Sequence, residues 1–160
     1  MAVWSAVLEK DGQAHTFLGR VFDALENQQV HYNFLLVGIE AYPVAPEFQF
    51  VNRDPVWISG EDLTHMIGQE DFQWVWGALL AFLPSVSREQ AVSRVCDLYA
   101  PSSSDQDSWH VRNRFLETGA EFMIFAEDST YTELLARRRE LVEGFCRHEP
   151  QAKMDRFTDV

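Results

Sequence analysis

Between Ala14 and Leu25 the apolar residues Phe17, Leu18, Val21, Phe22 and Leu25 recur at steps of three and four, which sets them on one face of a helix. The preceding stretch, Val3 to Leu8, alternates weakly around Trp4 and predicts a first strand, broken by Asp11-Gly12. His31 to Ile39 predicts a largely buried strand around Phe34, Leu35, Leu36 and Val37, after which Pro43 and Pro46 interrupt regular structure. A short edge strand is expected at Phe48 to Val51, a turn at Asn52 to Pro55 and another brief strand at Val56 to Ile58. Ser59-Gly-Glu-Asp62 resembles a capping box, in which a Ser side chain takes up a free N–H of the first helical turn. It opens a short helix with Leu63, Met66 and Ile67 inward and Gly68 at its end.

Phe72 to Leu83 is apolar at almost every position, the composition of a strand covered on both faces. Regular alternation sets Trp74 and Trp76 on one face and Val75, Gly77 and Leu79 on the other, and makes this the central strand. Ser87-Arg-Glu-Gln90 is a second capping-box sequence, before a helix with Ala91, Val92, Val95 and Leu98 inward. The polar, low-complexity run from Pro101 to Asp107 reads as a mobile surface loop. Ser108 is placed to cap a helix through Glu117, with Val111 and Phe115 inward and Gly119 past its end; Ala120 to Ala126 then predicts a strand. Two readings stand for the next segment. One helix from 131 to 147, opened by Thr130-Tyr-Thr-Glu133, is favoured by the shared face of Leu134, Leu135, Leu141, Val142 and Phe145; the rival is a strand at Tyr131 to Leu135 and a shorter helix. Met154 to Thr158 predicts a final edge strand. Strands and helices intermixed without regular βαβ units indicate an α+β class: a single-domain two-layer fold over 1–160, with a mixed sheet of about five strands and helices packed mainly on one face.

Composition adds that 160 residues, 46% of them apolar, suffice for a substantial core. The start has no basic n-region and meets Glu9, Lys10 and Asp11 early, so no export signal is expected. The longest apolar stretch, Val75 to Pro84, is about half of what a bilayer-spanning helix needs. Cys96 and Cys146 stand far apart with no CxxC pattern, which points to two reduced and mostly buried thiols in a cytoplasmic protein. Charge changes the picture most. Twenty of the 25 carboxylates precede residue 137 against seven of the 13 Lys and Arg, about −13, while the last 24 residues come to about +1. A field of that sign repels nucleic acid and anionic membrane and attracts basic partners.

Candidate chemistry is sparse. Glu61, Asp62 and His65 share one side of a helix, but a metal site usually needs three protein ligands and no second helix repeats the pattern; first-turn carboxylates also suit the helix dipole. No GxSxG elbow, GxGxxG or GxxxxGK[ST] loop occurs, and no catalytic residue, metal site or cofactor is assigned. Arg137-Arg138-Arg139 is the sole basic cluster. On a helix it would spread rather than form a patch, and Glu133, Glu140 and Glu143 are spaced for intrahelical ion pairs. Trp57, beside an Asp-Pro turn, and Trp109, after the polar loop, are the aromatic residues at element ends, where binding anchors are found.

These features favour a cytoplasmic module that docks a basic protein partner. Trp109 with Asp105 and Asp107 forms one candidate contact, and Trp57 with Glu61 and Asp62 another. In size, acidity and lack of a catalytic motif the chain resembles, in composition alone, the immunity proteins that neutralise bacterial toxins. That likeness implies an inhibitor that occupies a basic site. The alternative is a small enzyme or ligand-binding domain assembled from dispersed residues such as Glu61, His65, His110, Glu127 and Asp128. A homodimer built on an aromatic patch is a third expectation.

Overall fold

A computed structural model describes residues 2–9, 16–98, 107–128 and 130–157. Seven strands form one sheet: β1 Val3–Glu9, β2 Asn33–Ala41, β3 Val56–Ser59, β4 Trp74–Phe82, β5 Phe122–Glu127, β6 Tyr131–Ala136 and β7 Lys153–Phe157. Their order is β3-β2-β4-β5-β6-β1-β7, and every neighbouring pair is antiparallel. The α+β class holds, but the expected mixed sheet of about five strands is corrected to seven antiparallel ones.

Helices cover both faces, so the two-layer expectation is also corrected. On the first face α1 (Leu18–Ala24), α2 (Gly60–Gln69) and α6 (Arg139–His148) bury Leu18, Leu63 and Phe145 against Phe34, Leu36, Leu79, Ile124 and Leu134. On the second, α3 (Arg88–Cys96), α4 (Asp107–Asn113) and α5 (Phe115–Thr118) bury Val95, Val111 and Phe115 against Leu35, Leu80, Met123 and Phe125. A run such as Leu79-Leu80-Ala81-Phe82, with successive residues pointing to opposite sides, needs this double cover.

The capping at Ser87 forms in full: its hydroxyl accepts from Gln90 N while the Gln90 side chain accepts from Ser87 N. Ser59 accepts from Asp62 N and starts α2. Ser108, by contrast, lies inside α4 rather than capping it, and the helix expected through Glu117 is divided at Arg114. Phe48–Val51 is not a strand but part of a 3₁₀ turn, Pro46–Asn52, whose period of three buries Phe48 and Val51 together. Asn52 then closes on Ala41, accepting from its N–H at 3.0 Å and donating to its C=O at 2.8 Å, in the place of a neighbouring strand.

Residues 131–147 follow the rival reading, strand then helix. Leu134 is buried on the first face and Leu135 on the second, which the pleat allows and one helical face does not. In the strand Glu133 pairs with Arg112 of α4 rather than with Arg137, the partner four residues on that a helix would have offered. The arginine run is split accordingly. Arg137 donates to the carbonyls of Ala120 and Leu116, whereas Arg139 pairs with Glu143 at 2.8 Å within α6.

Strict alternation fails once, in β2 and β4. Val37 and Ala78 face the second side, but Ala41 and Trp74 face the first, across register shifts between these positions. Gly38 (φ +63°) and Gly77 (φ +144°) occur at this corner. A Cβ on Gly77 would come within 2.3 Å of Ile39 Cδ1. Trp74 is therefore the fully buried tryptophan of β4, and Trp76, expected beside it in the core, is half-buried.

Candidate functional site

The second face divides. Helix α4 rests on β2, β4 and β5, whereas the same side of β1 and β7 has Val7 half-buried and Glu9, Lys153 and Asp155 exposed. A depression of about 380 Å³ lies there, lined by Val7, Glu9, Gln151 and Lys153. At its inner margin the register aligns Glu9, Tyr131 and Glu127 in one row across β1, β6 and β5, and Val7, Glu133 and Phe125 in the row beside it. Cross-strand neighbours share a face, so three carboxylates and a phenol gather on this part of the sheet.

Glu133 is fully buried. Arg112, reaching from α4, donates to it twice at 2.9 Å, through Nε to Oε2 and Nη2 to Oε1, and Tyr131 OH donates to Oε2 at 3.1 Å. The guanidinium carbon sits 5.2 Å from the Trp109 ring centre and 4.9 Å from that of Phe157, so the cation is enclosed by π faces as well as by its counter-ion. Burial works against the Arg112 charge, but the hydrogen bonds and charge of Glu133 outweigh it and hold the pKa above its ordinary value. Burial and the nearby Glu133 charge push the Tyr131 phenol well up, which keeps it protonated as a donor.

Outside this neutralised pair the carboxylates Glu9, Glu127 and Asp128 outnumber the one cation that lines the depression, Lys153. Burial first, and then the adjacent Asp128, raise the pKa of Glu127, with Glu9 adding to the effect and Arg112 opposing it. None of the ion pairs among the described residues uses Glu9, Glu127 or Asp128. The sheet surface beside the depression thus carries more carboxylates than cations, and Trp109, half-buried on α4, meets Phe125 of the neighbouring row with tilted rings 5.1 Å apart.

The expected contact residues fall in several places. Asp105 lies outside the described residues; Asp107 is the first residue of α4, its side chain undescribed. Trp57 is half-buried on the second face against Phe82, with β2 and β4 between its strand and β5 under Trp109. Glu61 and Asp62 are exposed in the first turn of α2 on the opposite face, so they do not join Trp57 in one surface. Glu61 and His65 are likewise separated by the sheet from His110, on α4, and the Gln69 side chain meets the His65 ring at 3.1 Å. Among the described residues no group of three or more His, Cys, Asp or Glu is placed to hold a metal ion, and no helix is long and apolar enough to cross a membrane. On the first face, Thr16, Thr132 and the Arg20–Glu149 pair border a space of about 10 Å³, room for one water molecule at most.

Sequence reasoning overlooked Glu9, Arg112, Tyr131 and Glu133. The one local signal was a glutamate in an alternating strand, and the capping-box pattern Thr130–Glu133 masked it. Comparison with protein-family models, with curated proteins and with solved structures gives no match.

Proposed function

We propose that this protein docks a basic protein partner on the second face, through the acidic rim formed by Glu9, Glu127 and Asp128 with Trp109 as its aromatic anchor. The observation that carries the reading is geometric: Glu9 and Glu127 share one cross-strand row, Asp128 follows Glu127, and none of the three enters an ion pair among the described residues, so an incoming Lys or Arg would find unneutralised carboxylates there. Arg112 does not compete, because Glu133 occupies it. An inhibitor that covers a basic site on its target, as immunity proteins do to toxins, is the specific form this function takes, and cytoplasmic residence fits it. The enzymatic alternative gains nothing from the separation of Glu61 and His65 from His110.

The test is kinetic. A partner captured from host lysate at low salt and identified is passed over immobilised wild type, over Glu127→Gln with Asp128→Asn, and over Glu61→Gln with Asp62→Asn as a control on the other face. The rim variant should associate more slowly and with a weaker salt dependence, and Trp109→Ala should shorten the residence time. Equal on-rates for all three charge forms would place docking elsewhere.

A further inference from the structure

Strand β7 ends the sheet, so one row of its backbone N–H and C=O groups meets no strand among the described residues. The opposite edge, β3, has four residues and packs against the 3₁₀ turn at Pro46–Asn52. Charges commonly guard such an edge, but those of β7 are spaced to match one another. Lys153 lies beside Val7 and Asp155 beside Ser5, so both project to the second face on either side of Met154. Both are exposed, and no ion pair of the described residues uses either.

We propose that two copies of this chain join edge to edge through β7, antiparallel about a two-fold axis at Met154, to make one continuous sheet. In that register Lys153 of each copy lies directly opposite Asp155 of the other, giving two cross-strand ion pairs by symmetry. A two-fold at Asp155 would oppose two aspartates, and one at Lys153 two lysines, so charge selects the register.

Sedimentation equilibrium of the full chain over a range of concentrations tests this, with circular dichroism confirming that each variant keeps the wild-type fold. Wild type should dimerise. Lys153→Asp should weaken the dimer by about tenfold, since two attractive cross-strand pairs become repulsive, and Asp155→Lys should do the same by opposing two lysines. The exchanged variant, Lys153→Asp with Asp155→Lys, restores complementarity and should restore the dimer. A monomer at all concentrations, a dimer indifferent to either single change, or an exchanged variant no better than the singles would each overturn the proposal.

Discussion

Replacing Arg112 by Met should be among the most damaging single changes outside the apolar core. The methionine keeps an unbranched stem between Trp109 and Phe157, so packing is largely preserved while both hydrogen bonds to Glu133 and the cation are lost. Glu133, fully buried, would keep only the Tyr131 hydroxyl. Removing one partner of a buried ion pair costs about 3 to 5 kcal/mol, against about 5 to 15 kcal/mol for a whole domain. With a urea dependence of about 2 kcal/mol per molar, the midpoint of unfolding should fall by roughly 2 M. Glu143→Gln is the matched control. It breaks an ion pair of similar length, 2.8 Å, whose members are 56% and 41% exposed, and should cost less than about 1 kcal/mol. The double variant Arg112→Met with Glu133→Gln removes the stranded charge and keeps an oxygen for Tyr131, so it should recover most of the loss. Similar midpoints for Arg112→Met and Glu143→Gln, or a double variant no better than Arg112→Met alone, would refute the assignment of this pair as a buried electrostatic anchor.

Glu127→Gln should raise the melting temperature at pH 7. The folded-state pKa lies above the ordinary value of 4.5, so ionisation disfavours the folded chain; the gain should shrink as pH falls through the folded pKa and vanish well below 4.5, where both states hold the proton. Gly60→Ala should prevent stable folding, because its Cβ would stand 1.9 Å from the Gln29 carbonyl oxygen. Gly68→Ala, in the same helix with open space around it, should stabilise by about 0.5 to 1 kcal/mol; thermal melts of the two variants check the contrast.

What could be read along the chain was what depends on near neighbours. The Ser87–Gln90 box formed because both partners lie within one turn, and β2, β4 and β5 were visible because their apolar runs exceed what one buried face requires. That excess already pointed to helices on both sides of the sheet, a consequence the two-layer expectation did not follow. The site was hidden for the opposite reason. Glu133 and Arg112 are 21 residues apart and meet across two elements, and Glu9 reaches the row of Glu127 only through the β1–β6–β5 register. Residues 131–136 show the same limit: a local capping pattern lost to a buried counter-ion and to two leucines needed on opposite faces.

The corner at Gly38 and Gly77 also constrains how this chain can change over evolutionary time. From the Val37–Ala78 pair to the Ala41–Trp74 pair both strands advance by four residues, so the extra residue on one side is offset by an extra residue on the other, yet inner and outer sides have changed places. A one-residue insertion or deletion in either strand alone would undo that balance, either turning Trp74 out of the core or shifting every rung beyond it. Length changes here are viable only when the two strands change together, which makes 37–41 and 74–78 a single heritable unit although more than thirty residues separate them in the chain.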